Sequence, residues 1–387
     1  MKHIKIAAVW MIAMLLLFSC KTKQENNVQP VVKREIWTAA QADDWYSKQP
    51  WLVGANFMPS NAINQLEMWQ AETFDTATID KELALAASLG MNTVRVFLHD
   101  LLYENDKQGL YSRMEIFLRI AEKYGIKPLI VFFDSCWDPF PKAGKQKAPT
   151  PFTHNSGWVQ SPGYYTLRDT TQYKRLENYV TETVTHFAAD KRIVGWDVWN
   201  EPDNMTGPSY EKVEMPDKVS YVLPLLEKTF SWVRAGNPSQ FITSGIWLGN
   251  WSTADSMKPI QKLQLEQSDI VSFHNYDSAA EFEKRVQLLQ RYNKPLLCTE
   301  YMARPNGSTF ETVLPVAKKY KVAMYNWGFV SGKTQTIYPW DSWTKNYTAE
   351  PPVWFHDIFR NDGSPYNKKE TDFIKSITAN TVVASSN

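Results

Sequence analysis

Two glutamates stand where this chain of 387 residues could most readily do chemistry. Glu201 closes the run Ile193-Val194-Gly195-Trp196-Asp197-Val198-Trp199-Asn200-Glu201-Pro202, which reads as a short buried strand stopped by a proline, with the amide of Asn200 beside the carboxylate. Glu300 closes Lys294-Pro295-Leu296-Leu297-Cys298-Thr299-Glu300, a second apolar strand that ends in a carboxylate. The two lie 99 residues apart. Carboxyl groups held about 5–5.5 Å apart suit glycosidic cleavage with retention: one attacks the anomeric carbon, the other protonates the leaving oxygen and then activates water. Their mutual repulsion helps keep a proton on one of them near neutral pH.

Other polar and aromatic residues fall at strand ends too. His274 and Tyr276 close a third apolar run two residues apart, hence on one face. Tyr325 and Trp327 share parity in the last run. Arg95 lies inside Thr93–Leu98, where an unpaired charge is prohibitive, so a carboxylate partner is expected.

These residues need a frame that brings distant strand ends together. From Trp51 the sequence alternates apolar strands with amphipathic helices, after a short helical lead-in at Ala39–Lys48. The strands read as Leu52–Phe57, Thr93–Leu98, Pro128–Phe133, Ile193–Trp199, Phe241–Trp247, Ile270–Tyr276, Pro295–Glu300 and Val322–Phe329. Helices fall near Ile79–Leu89, Arg113–Tyr124, Gln172–Ala189, Lys218–Ala235, Met257–Leu263, Ala280–Tyr292 and Thr312–Tyr320. This order predicts an α/β fold, a single (β/α)8 TIM barrel, with both glutamates at C-terminal lips three strands apart. No Gly-rich dinucleotide turn follows the first strand, which argues against a doubly wound sheet. The loop Asp134–Thr171 carries Trp137, Phe140, Phe152, Trp158, Tyr164 and Tyr165, and Ser331–Pro351 adds Trp340, Trp343 and Tyr347. Loops this long are commonly functional. Together they could wall a cleft, with about half of the rings packed in satellite cores beneath them.

Trp199-Asn200-Glu201-Pro202, Glu300, His274-Asn275-Tyr276 and Trp327 resemble clan A glycoside hydrolases, and family 5 with its mannanases and cellulases above all. The resemblance spans about Trp51 to Phe359. It implies Glu201 as acid/base and Glu300 as nucleophile. Asn200 would bond the substrate 2-hydroxyl, Tyr276 would hold Glu300, and His274 would orient Glu201. Arg95 would support the nucleophile, Trp327 would floor the −1 subsite, and Asn56 and His99 would contribute at the rim. Family 5 places a histidine near the end of strand three, whereas this chain reads Phe132-Phe133-Asp134-Ser135-Cys136-Trp137. Asp134 or Trp137 would then serve the −1 sugar, and a sister family of the clan stays open.

The remaining sequence bounds the partners. A net charge of +1 leaves no cation surplus for nucleic acid. The aromatic share of 14%, including 16 Trp, suits faces that meet sugar rings. Lys2 and Lys5, the apolar Ile6–Phe18 and the lipobox-like Leu17-Phe18-Ser19-Cys20 mark residues 1–19 as a lipoprotein signal peptide, with Cys20 the lipidated residue of an exported, membrane-anchored protein. Residues 20–36 form the lipidated cysteine and a polar tether, 37–378 the glycosidase domain and 379–387 a tail. Cys136 and Cys298 are expected to be free and buried. No cofactor or metal is expected, since the six His show no ligand spacing. The reading is a monomeric, lipid-anchored retaining β-glycosidase acting on a carbohydrate substrate. The alternative is a non-catalytic, lipid-anchored glycan-binding barrel.

Overall fold

Every apolar run becomes a strand. In the computed structural model, which describes residues 34–379, they are β1 (Val53–Asn56), β2 (Thr93–Phe97), β3 (Lys127–Asp134), β4 (Gly195–Asn200), β5 (Phe241–Thr243), β6 (Val271–His274), β7 (Leu296–Tyr301) and β8 (Ala323–Asn326). All pairings are parallel, in the order β5-β4-β3-β2-β1-β8-β7-β6. An isolated parallel bridge between Ile246 and Phe273 joins the two ends of that order. The result is a (β/α)8 barrel whose strands all point their C-terminal ends at one mouth. At Gly195 the strand passes so close to the Phe241 ring that an added Cβ would lie 2.4 Å from it.

The barrel interior is layered. Its floor is apolar: Leu52, Leu129, Val194, Phe241, Ile270, Leu297 and Ala323 cluster with Ala42 and Tyr46 of the lead-in helix Ala39–Ser47. That helix plugs the N-terminal end, the Trp45 ring meeting Phe241 at 5.1 Å and the Tyr46 hydroxyl donating to the Lys321 carbonyl at 2.7 Å. Arg34, read as tether, is tied to the same end by a 2.7 Å bond to Asp269. Above the floor the interior turns polar, with Thr93, Arg95, Asp197, Thr243 and Ser272 all buried. Tyr325 belongs to the lower level: its hydroxyl sits 3.0 Å from Thr93 Oγ1, well below Trp327.

The helices cover the outside as expected, with three differences. The helix before β3 starts earlier, spanning Asp100–Lys123 across a kink at Asp106. Short helices at Gln65–Trp69 and Tyr164–Arg168 lie in the mouth loops, and Lys368–Thr378 adds a last helix. Among the described residues no helix is long and apolar enough to cross a membrane. The signal segment, Cys20 and residues 380–387 lie outside the described residues.

Candidate active site

The site rests on one buried cation. Arg95 of β2 is fully buried in the barrel interior. Its guanidinium contacts Asp197 at 2.9 Å and Glu300 at 3.1 Å, and donates to Asn200 Oδ1 at 2.8 Å and Asn56 Oδ1 at 2.9 Å. A charge at this depth persists only if paired and bonded throughout. Asp197 is the carboxylate that meets that need, and the same fork fixes residues from β1, β4 and β7.

Above Arg95 the two glutamates meet. The chain leaves β4 at Glu201 with a left-handed φ of 43°, a strained conformation for a non-glycine residue, and Asn204 N closes the turn on the Glu201 carbonyl at 2.9 Å. His274 Nδ1 lies 2.9 Å from Glu201 Oε1 and 3.4 Å from Glu300 Oε2. The Tyr276 hydroxyl donates to Glu300 Oε2 at 2.7 Å. Ligand atoms of Glu201, His274 and Glu300 all fall within 4.8 Å of one another. That spacing fits the retaining geometry, not the wider separation that leaves room for a water between the carboxyls.

Burial dominates the protonation of the pair and pushes both carboxyls up to about 7. One shared proton is better placed on Glu201. An ionised Glu300 keeps the attraction of Arg95 and the Tyr276 donor, whereas Glu201 faces an amide, a thiol and an imidazole that burial drives down to about 4 and so leaves neutral. The arrangement can thus hold an acid and a base side by side near neutral pH.

The cleft over this pair has a volume of about 380 Å³. Asn200, Glu201, His274, Tyr276, Glu300, Trp327 and Trp137 all line it. Four other sequence candidates do not. Arg95 and Asn56 lie beneath it, Asn56 spending its amide on the Thr299 carbonyl at 2.8 Å. Asp134 is buried behind Asn200, its oxygens taken by Asn200 Nδ2 at 3.1 Å, Cys136 N at 2.9 Å and Trp158 Nε1 at 2.6 Å. His99 is not at the rim: the chain turns into a helix at Asp100, and the ring caps it by accepting from Leu101 N at 3.2 Å while Nε2 meets the Gln160 carbonyl at 3.0 Å. Of the loop aromatics, Trp137, Trp158, Trp340 and Trp343 reach the cleft, whereas Phe140, Tyr164 and Tyr165 pack on one another.

Sequence reasoning missed three groups. Asn204 Nδ2 donates to Glu201 Oε2 at 2.6 Å, and the Cys136 thiol lies 3.5 Å from the same oxygen. Burial holds that thiol well above its ordinary range, so it stays protonated and donates. His154, from the loop after β3, also lines the cleft. None has a local signal, because each acts through a turn or a loop contact. Cys136 and Cys298 are free and buried. Among the described residues, Glu201, His274 and Glu300 are the group that could hold a metal, a grouping invisible in sequence spacing. A metal-ligating histidine normally hands its other ring nitrogen to an acceptor, whereas His274, whose Nδ1 faces both carboxyls, has no partner for Nε2 among the described residues, which suits an acid–base pair better.

Residues 53–346 match the model of the cellulase family, glycosyl hydrolase family 5. No curated protein is matched. Among solved structures, the exo-β-1,4-mannosidase Op5Man5 from Opitutaceae bacterium strain TAV5 superposes with a TM-score of 0.54 at 19% identity over 85% of this chain. This chain spans 59% of that protein's length. The GH5_18 protein from Streptomyces cattleya, in complex with Manβ1-4GlcNAc, gives 0.56 at 13% identity over 85% of this chain and 79% of its own. The hyperthermostable endo-1,4-β-D-mannanase from Thermotoga petrophila RKU-1 gives 0.53 at 13% identity, covering 85% and 99%. These likenesses carry the fold.

Proposed function

The chain belongs to glycosyl hydrolase family 5, and on that premise we propose that its cleft cleaves β-linked glycans by double displacement, with Glu300 as nucleophile and Glu201 as acid/base. Membership makes it a retaining glycoside hydrolase. The observation that carries the residue assignment is the convergence of Glu201 and Glu300 within 4.8 Å above Arg95. Ionised Glu300 attacks the anomeric carbon while Glu201 gives its proton to the departing glycosidic oxygen, leaving a glycosyl ester on Glu300. Glu201, now a carboxylate, takes a proton from water, and the resulting hydroxide oxygen replaces the ester at the same carbon. Two inversions give net retention. Asn200, held by Arg95 and Asp134, presents its amide to the sugar 2-hydroxyl, and Trp327 floors the reacting ring.

The test uses two variants on a panel of aryl glycosides and mannan, glucan and xylan backbones. Glu300→Ala is expected to abolish turnover, with azide restoring it as a glycosyl azide of inverted configuration. Glu201→Ala is expected to spare activated aryl substrates and to slow natural ones most. Wild-type activity in either variant on a natural glycan overturns the assignment, and glycan binding without any turnover favours the binding-protein reading. We also propose that the enzyme is exported and anchored through lipidated Cys20, a reading supported by Leu17-Phe18-Ser19-Cys20 after a basic, apolar leader. Cys20→Ala is expected to move the protein from the membrane to the soluble fraction.

A further inference from the structure

The mouth of the barrel is not an even groove. The loop after β3 is zipped to the loop after β8: Asn155 N donates to the Thr334 carbonyl at 2.8 Å, His154 N to Ser342 Oγ at 2.9 Å and Phe152 N to Gln335 Oε1 at 2.7 Å. Gln335 returns a bond to the Thr150 carbonyl at 2.8 Å. In the barrel order these strands stand on either side of β2 and β1, so their junction passes over that flank of the mouth. The loop after β1 fills the space below. Asn64 Nδ2 donates to the Gly157 carbonyl at 2.8 Å, and Gly332 approaches so closely that an added Cβ would lie 2.0 Å from the Ser60 carbonyl oxygen. Tyr210, from beyond β4, meets Trp343 at 5.6 Å and extends the same wall.

This wall stands next to the nucleophile's neighbours. Trp158 within it meets the ring of Trp327 at 5.7 Å, and Trp340 meets Tyr276 at 5.0 Å. The other flank, beyond Glu201, is bordered by Trp247, Asp277 and Arg285. A leaving group protonated by Glu201 departs toward that flank, so the retained sugar lies against the wall.

His154 is a polar residue of this wall that lines the cleft. His154 Nδ1 lies 2.8 Å from the Tyr338 carbonyl, an acceptor, so this nitrogen carries the ring proton. Nε2 is then a bare lone pair. Among the described residues it has no hydrogen-bond partner and, unlike Nε2 of His274 and His356, it is not fully enclosed, in a residue that lines the cleft. Burial drives His154 down to about 4, which keeps that lone pair free at neutral pH.

We propose that the loops after β1, β3 and β8 close the glycone side of the cleft, so that the enzyme removes single sugars from the non-reducing end, with His154 Nε2 accepting a hydroxyl of that terminal sugar. The inference rests on the glycosidase reading above. A polysaccharide chain has no path past the wall, while its terminal sugar can enter and place its aglycone on the open flank.

The experiment separates this inference from the reading it rests on. The full-length enzyme is first assayed on 2,4-dinitrophenyl β-glycosides, which require only the glutamates and one sugar; no turnover there overturns the glycosidase reading itself. It is then given manno-, gluco- and xylo-hexaoses labelled at the reducing end, with the manno- and gluco-hexaoses also supplied benzylidene-blocked across O4 and O6 of the other end. The expected result is release of monosaccharide, labelled products shortening one unit at a time, and resistance of the blocked chains. Internal products, release of a disaccharide or longer unit, or cleavage of blocked chains at the unblocked rate overturns it. His154→Ala is expected to raise KM for the aryl glycoside about tenfold with a smaller change in kcat, as for loss of one hydrogen bond to bound sugar. An unchanged KM in that variant overturns the part assigned to His154.

Discussion

Replacing Asn204 by alanine tests how the proton on Glu201 is set. Asn204 Nδ2 donates to Glu201 Oε2 at 2.6 Å in a buried setting, a bond worth more to the carboxylate than to the acid. A hydrogen bond to a charged group contributes about 1.5–3 kcal/mol, and 1.36 kcal/mol corresponds to about one pKa unit. Loss of the donor favours the protonated form, so the carboxyl, already pushed to about 7 by burial, rises by about 1–2 units. On the proposed mechanism Glu201 acts first as an acid. The basic limb of kcat/KM, measured against pH with a poor aryl leaving group, therefore moves upward in the variant, even as the maximal rate falls. Cys136→Ala removes a weaker donor at 3.5 Å from the same oxygen and is expected to shift the limb the same way by less than about one unit. Asn204 also accepts from Thr206 N at 2.6 Å, so loosening of the loop could lower activity at every pH. It could not move the limb. A basic limb that stays put, or moves down, in both variants would falsify the view that these donors hold the acid's proton in balance.

Two further outcomes follow from the same network. Tyr276→Phe removes a 2.7 Å donor from Glu300, which on the proposed mechanism must be ionised to attack, so the acid limb with a dinitrophenyl glycoside moves up by about 1–2 units; an unmoved limb contradicts the assignment. Arg95→Met strands the buried carboxylate of Asp197 and is expected to cost about 3–5 kcal/mol in urea unfolding, whereas Arg95→Met with Asp197→Leu recovers much of it. A loss under about 1 kcal/mol in the single variant shows that Asp197 stands without its partner.

The strands were legible because buried parallel strands are written as unbroken apolar runs, and Glu201 and Glu300 were legible because each breaks such a run at its mouth end. Depth was harder to read. Parity placed Tyr325 and Trp327 on one face but could not say that one belongs near the floor and the other in the cleft. The resemblance implied His99 at the rim, and nothing in its neighbours announced that the helix begins at Asp100, thirteen residues before Arg113, where its apolar pattern is plain. The helix Lys368–Thr378 escaped notice because its buried face is largely polar, with Glu370 bonded to Arg304 and Ile374 as its apolar anchor. Asn204 and His154 are out of reach for a different reason. Each owes its place to a backbone turn or to a second loop, and no periodicity encodes contacts between residues 154 and 338.

The fork of Arg95 has a meaning for the reaction cycle as a whole. With Glu300 as nucleophile, the covalent intermediate turns that carboxylate into a neutral ester, and a lone counter-charge to a buried guanidinium would vanish midway through turnover. Asp197 does not react, and at 2.9 Å it keeps Arg95 neutralised while Glu300 is esterified. The buried cluster of Arg95, Asp197 and Glu300 thus alternates between one net negative charge and none, and never becomes cationic beneath a sugar carbon that is itself gaining positive charge.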